Sequence, residues 1–360
     1  LEGDWKTAFN FLKMQRQNLK TRRQEDVELE LKCGAMIPYL LWMSASKRRG
    51  DDWIMSLNLL DLPSKRDAVN VLSFLLRNTK IPLILSPFEG NFEDERVHDI
   101  SHIRRLASAL QGNDIVSELN LFHAILSSEE CGILPASLLH YKPLRKLNYE
   151  HNDVSLQGIQ LLSDALISTG VMMQELTLTK CDIGPEAMAI LAKGLHSNST
   201  LYQFFLDFNP IGDRGMAELG QALHHNKTLE TLRLEGNSIF GDGMTAFCKA
   251  LRINKTLESL SLGGNSIGDN GLIALCSNKT LRYLSVGNTE HDTGICALMK
   301  TLQESNDPLR CLSVSTGVMG MKGVQAVAKY LRAQPSSGLD KLYLDNCGLE
   351  DDAAQVIAVA

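Results

Sequence analysis

The side chains that could carry chemistry are few, and each recurs at a spacing with a simpler explanation. His196 and His224 lie 28 residues apart and His225 adjoins the second. Imidazoles gathered by a repeating fold could ligate a divalent metal, but such a site needs several well-placed ligands, and no cysteine or carboxylate cluster completes this set. All three fall where the last turn of a helix is expected, and an imidazolium is favoured there by the helix dipole. His98, His102, His123, His140, His151 and His291 show no ligand-like spacing.

Gly317-Val-Met-Gly-Met-Lys-Gly323 has the density of glycine that cradles a phosphate, yet it lacks the closing Gly-Lys-Ser/Thr that would hold the phosphate and its metal. No Gly-x-Ser-x-Gly and no His-Glu-x-x-His occurs, so neither a serine nucleophile elbow nor a zinc hydrolase helix is indicated. Four Asn-x-Ser/Thr sequons begin at Asn198, Asn226, Asn254 and Asn278, all at one repeat position. That recurrence fits helix ends and strand starts better than glycan attachment. Neither a cofactor nor a metal is expected, and the chain reads as a binder, not an enzyme.

What positions these residues is an internal repeat. Leu229-Glu-Thr-Leu232-Arg-Leu234-Glu-Gly-Asn237 returns 28 residues later as Leu257-Glu-Ser-Leu260-Ser-Leu262-Gly-Gly-Asn265. With the middle leucine as register, the series runs Leu119, Leu147, Leu176, Phe204, Leu232, Leu260, Leu284, Leu312, Leu342. Weaker copies precede it at Leu57 and Leu83, which leaves 36 residues between Leu83 and Leu119. The extra residues, about 88–99, are acidic, and insertions of this kind map to loops at the sheet edge.

This LxxLxLxxN pattern resembles the leucine-rich-repeat family, and its period with a helical second half is similar to the ribonuclease-inhibitor-like branch. The resemblance covers about residues 53–360 and implies an α/β solenoid, a horseshoe with a parallel β-sheet on the concave face and helices on the convex face.

The residues themselves give reasons for each part. Alternation puts Leu232 and Leu234 on one face of a short strand and Thr231, Arg233 and Glu235 on the other. Asn152, Asn209, Asn237 and Asn265 follow the strands, where an amide can satisfy backbone groups of the turning loop; Cys181 and Cys347 replace it elsewhere. Met216, Leu219 and Leu223 share a helical face. Asp213 and Asp269 are expected N-caps, and Asn226, Asn254 and Asn278 expected C-terminal caps. The repeat from Leu257 to Thr280 is four residues short, about one helical turn. The aliphatics of one repeat cannot offset the entropy of ordering it, so neighbouring repeats must share a core. Strands stack more closely than helices, which demands curvature.

Residues 1–52 carry a different pattern, with Trp5, Phe9, Leu12 and Leu19 spaced as an amphipathic helix, and are expected to form an N-terminal helical cap. Residues 53–360 are expected to form about eleven repeats, truncated at Ala360 inside the helix of the last one. The longest nearly uncharged apolar stretch, Ala35 to Met43, is far too short to span a bilayer. A formal charge of -6 gives no overall pull toward nucleic acid or anionic membrane. Eight scattered cysteines without CxxC pairs read as reduced thiols, which favours a cytoplasmic location.

The outward strand positions are therefore the expected contact surface. Phe122, Glu150, Phe205, Asp207, Arg233, Glu235, Tyr283, Tyr343 and Asp345 combine the aromatic and charged types that anchor protein interfaces, with a serine and glycine lane between Ser259 and Ser315. A protein partner is expected there, and a place as one subunit of a larger assembly fits. The other reading is a GTPase-activating protein resembling the Ran activator, a family that depends on an arginine in an early repeat loop and an acidic C-terminal tail. Arg66 is the nearest positional candidate, but the motif around it does not match and the stretch to Ala360 holds no acidic tail. A solvated arginine in the first turn of a helix is the simpler reading.

Overall fold

The computed structural model describes residues 48–49, 52–53, 55–58, 83–86, 117–121 and 144–360, apart from 169, 277, 288–291, 305–308, 316–318 and 334–337. Apart from 48–49 and 52, the helical cap expected over 1–52 lies outside the described residues, as do the insertion at 88–99, Phe122 and Arg66. Strands β1 (Arg48–Arg49) and β2 (Asp52–Trp53) form an antiparallel pair, with Arg49 opposite Asp52, so the boundary drawn after residue 52 cuts β2.

The chain divides into two units, Leu1–Gly158 with Ser168–Met173, and Ile159–Ile167 with Gln174–Ala360. The first holds β3 (Met55–Asn58), β4 (Leu83–Ser86), β5 (Glu118–Asn120) and β6 (Lys146–Asn148), paired in parallel in chain order. Leu85, not Leu83, pairs with both Leu57 and Leu119, which moves the expected register of this repeat by two residues. A two-residue move keeps the same side chains on the same face of the strand, so hydrophobic alternation could not distinguish the two registers.

The second unit repeats one coil. Its strands are β7 (Glu175–Thr177), β8 (Gln203–Phe205), β9 (Thr231–Arg233), β10 (Ser259–Leu262), β11 (Tyr283–Gly287), β12 (Cys311–Ser315) and β13 (Lys341–Asp345). Helix α1 (Leu156–Ile167) precedes β7; between the strands lie α2 (Pro185–Ser197), α3 (Gly212–His225), α4 (Gly241–Leu251), α5 (Gly268–Leu275), α6 (Asp292–Glu304) and α7 (Met321–Ala333), and α8 (Asp351–Ala358) follows β13. All strand pairs in this unit are parallel, and Leu176, Phe204, Leu232, Leu260, Leu284, Leu312 and Leu342 align across them as the sequence register requires. From Leu176 to Leu312 this row is buried, and Met216, Leu219 and Leu223 of α3 are buried with it.

From α2 to α8, consecutive helices pack on one another. Gly220 permits the approach of α4: a Cβ there would stand 3.1 Å from the Cα of Phe247. The shortened repeat loses its residues from the helix, since α5 has 8 residues where α3 has 14.

Two asparagine rows tie the coils together. Nδ2 of Asn209 donates to Leu178 O of the preceding coil at 2.8 Å and to Leu206 O of its own at 2.7 Å, while its Oδ1 accepts from the Cys181 and Ile183 amides. Asn265 repeats this against Leu234, Leu262, Asn237 and Ile239. Cys347 takes the same position with its thiol donating to Val314 O at 3.2 Å. The second row is the sequon position. Asn254 donates to Leu223 O and Asn226 O and accepts from the amides of Thr256 and Leu257. Asn198, Asn226, Asn254 and Asn278 are all buried, as the non-glycan reading of those sequons required.

Asp213 and Asp269 do not cap their helices. Ile211 and Ile267 occupy the cap positions without side-chain bonds, and both aspartates sit inside the first turn. Asp213 Oδ1 instead accepts from the Phe240 amide of the next coil at 2.7 Å. A stacked repeat offers a fixed donor from its neighbour, which competes with the local capping geometry that sequence pattern suggests.

Candidate partner-binding face

The outward residues of β8, β9 and β10 form one bonded group. Phe205 on β8 pairs in register with Arg233 on β9, which pairs with Ser261 on β10. Asp207, just after β8, is only 4% exposed; its Oδ2 accepts from Arg233 Nε at 2.8 Å and its Oδ1 from the Glu235 amide at 2.8 Å. The Arg233 guanidinium carbon lies 6.0 Å from the centre of the Phe205 ring, and its Nη2 is 3.5 Å from Glu235 Oε1. Glu235 Oε1 also accepts from the Ser261 hydroxyl at 2.6 Å. A half-exposed guanidinium is thus held by a buried carboxylate, an exposed-side carboxylate and an aromatic face.

Asp207, expected as an outward contact, is buried, with its carboxylate held against Arg233 and the Glu235 amide. Thr177 and Thr179 of the preceding coil are buried as well. Burial pushes the Asp207 carboxyl above its ordinary value, the largest influence on it, while the Glu235 amide and then Arg233 pull the other way. The signal was present in sequence, because Asp207 and Glu235 occupy one position in successive coils, but their different depths are set by packing.

The remaining expected contacts are spread more widely. Tyr283 on β11 and Tyr343 on β13 are 53% and 46% exposed, and Asp345 is exposed beside the latter. Glu150, in the first unit, is half-buried; its amide donates to Asn148 Oδ1 at 2.8 Å and its carboxylate is 4.0 Å from His151 Nε2. Beyond the strands, Phe208 has a positive φ of 57° and is exposed, with Lys180 Nζ 5.4 Å from its ring centre. Phe240, exposed in the next loop, makes a parallel bridge with Ser266.

The other chemical readings have simple outcomes. The His196 and His225 ring centres are 4.3 Å apart and those of His224 and His225 4.8 Å, yet no group of metal-binding side chains occurs among the described residues. Partial desolvation, then the neighbouring His196 and His224, hold His225 below the ordinary imidazole range. The glycine stretch meets a carboxylate: the Gly320 amide donates to Asp292 Oδ1 at 2.7 Å, and a Cβ on Gly323 would stand 2.8 Å from that oxygen. An aspartate there occupies the amide a phosphate would need. No helix among the described residues is long and apolar enough to cross a membrane.

A family model described as Leucine Rich repeat matches residues 225–248 and 254–276. The chain is 30% identical over 96 residues to NACHT, LRR and PYD domains-containing protein 4E of Mus musculus, covering 27% of this chain and 10% of that protein. It is 31% identical over 91 residues to NACHT, LRR and PYD domains-containing protein 14 of Mus musculus, covering 25% of this chain and 9% of that protein. The chain therefore spans about a tenth of the length of these relatives. Among solved structures, an internalin of Listeria monocytogenes is similar at a TM-score of 0.49 and 16% identity, over 85% of each chain. With the repeated coil, the parallel register and the family match together, the chain carries leucine-rich repeats and folds as an α/β leucine-rich-repeat solenoid.

Proposed function

We propose that this chain is a protein-interaction module that binds a protein partner through the outward strand face and adjoining loops. The observation that carries the reading is Arg233. It is half-exposed, yet anchored at 2.8 Å by the buried Asp207 and set beside Phe205. Arginine and aromatic side chains dominate interface energetics, and an arginine already held in place loses less freedom on binding. Tyr283 and Tyr343 extend the same face, with small residues between them that admit a partner's backbone.

The chain is read as ribonuclease-inhibitor-like because full helices such as α3 occupy the second half of a 28-residue coil. Its curated relatives are far longer, which supports a role as one recognition part of a larger assembly. A cytoplasmic location agrees with cysteines such as Cys248 and Cys347, which are buried thiols outside any disulfide.

The test is quantitative affinity capture from native cells with the wild-type chain, an Arg233→Glu, Phe205→Ala double variant, and a control variant on the exposed side of α3, Glu218→Gln. The partner should be retained by wild type and control and lost by the double variant, whose melting curve should match wild type. Equal capture by all three would refute binding on this face.

A further inference from the structure

The edge of the coils where each strand begins is a separate surface with its own chemistry. Backbone bonds from Glu230 to Tyr202, Glu258 to Glu230, Arg282 to Glu258, Arg310 to Arg282 and Asp340 to Arg310, each between 2.7 and 2.9 Å, line these residues up across adjacent coils. Just outside them, Lys227 and Lys255 each follow a ladder asparagine, and Asn254 donates to Asn226 O at 3.1 Å, so the two lysines also stand on neighbouring coils. Lys279 holds the same place on the next. Successive strands are about 4.8 Å apart, so one ammonium per coil makes a closely spaced row.

The helix ends add to it. His224, His225 and Arg252 are exposed there, as is Ile253 at 51%. Lys227 Nζ donates to His224 O at 3.0 Å and Lys255 Nζ to Arg252 O at 3.3 Å, which draws both ammoniums toward the same edge. Among the described residues from Lys227 to Arg310 the rim carries six exposed lysines and arginines against three exposed carboxylates, Glu230, Glu258 and Glu304, of which Glu258 is already engaged by Arg282 at 3.3 Å and Glu304 lies 4.0 Å from Lys300. This is a local excess of positive charge on a chain whose net charge is -6.

We infer that this basic rim is a second docking surface, whose occupant is an acidic polypeptide segment bearing apolar side chains. Charge complementarity selects the acidic character. Three exposed apolar or aromatic side chains, Ile253 in the rim, Tyr202 at one end of its inner row and Tyr283 one residue inside it, select a polypeptide, because they offer contact area that a phosphate polymer does not use. The interleaved glutamates select it too, since they would repel a uniform run of phosphates but tolerate a mixed sequence. The rim shares only Tyr283 with the strand-face contacts, so the two surfaces can be tested apart.

The experiment is fluorescence anisotropy of the whole chain with a labelled peptide of glutamate, aspartate and two leucines, beside the same peptide with glutamine and asparagine in place of the acids. Binding of the acidic peptide alone, weakened by salt, is expected. The variant Lys227→Gln, Lys255→Gln, Lys279→Gln should weaken it by about fivefold or more, as three exposed charge pairs would. Because Lys227 and Lys255 also donate to helix carbonyls, a second variant, Arg282→Gln with Arg310→Gln, should weaken it as well, with far-UV circular dichroism unchanged in both. No binding of the acidic peptide, equal binding of the neutral one, or unchanged affinity in both variants would overturn the inference. So would tighter binding to duplex DNA or to phosphatidylserine vesicles than to the peptide.

Discussion

Replacing Asp207 by asparagine separates the stability of the fold from the readiness of its face. The asparagine keeps a carbonyl oxygen for the Glu235 amide, now held at 2.8 Å, but turns an amide toward Arg233 Nε and releases the guanidinium. The lost ion pair is modest, since the Arg233 side chain is 47% exposed and screened by solvent, so it is worth about 0.2–1 kcal/mol. Against it stands the relief of a buried carboxylate whose pKa lies above the ordinary 3.8. Stability at neutral pH should therefore change by less than about 1 kcal/mol. Asp207→Ala should cost more, about 1–3 kcal/mol, because it also leaves the half-buried Glu235 amide without its acceptor.

The pH dependence has a definite sign. A carboxyl with a raised native pKa binds more protons folded than unfolded, so its contribution to stability is lost as pH rises through the window from 3.8 to the native value. Urea unfolding of wild type and Asp207→Asn across that window should show wild type losing ground to the variant as pH increases. Partner affinity should fall in the variant at neutral pH even though stability does not. If Asp207→Asn costs as much as Asp207→Ala, or if wild type gains on it with rising pH, then Arg233 outweighs burial and the account of this site is wrong.

Two other substitutions and a labelling experiment probe the frame. Leu232→Asp places an unpaired charge in the shared core and should abolish the cooperative melt of several coils by circular dichroism; a normal melting curve would discredit the inside and outside assignment. Asn254→Ala removes two donated and three accepted bonds at a buried site and should lower the urea midpoint by an amount equal to about 2–4 kcal/mol, while Asn254 of a secreted form should carry no glycan by mass spectrometry. Burial pushes the Cys248 thiol up to about 12, so iodoacetamide at mildly alkaline pH should label it only after unfolding, and rapid labelling of the native chain would contradict its burial.

The period, the strand positions and the inward leucines were legible in the sequence. A solenoid puts equivalent residues at a fixed offset, and alternation within three residues is enough to assign a face, as Leu176 through Leu342 show. The sequon asparagines were legible for the same reason, because repeat position explained them before any contact was known. What sequence alone left undecided was depth and direction. Asp207 and Glu235 occupy one register, yet only the first is buried, and Asp213 reaches forward to the Phe240 amide and not to its own helix end. The register of β4 likewise needed its neighbours, since Leu83 and Leu85 lie on the same face of the strand. One-dimensional pattern specifies which face a residue occupies; how far it is covered, and which of two donors it meets, depends on the coil stacked beside it, and that is a property of tertiary packing.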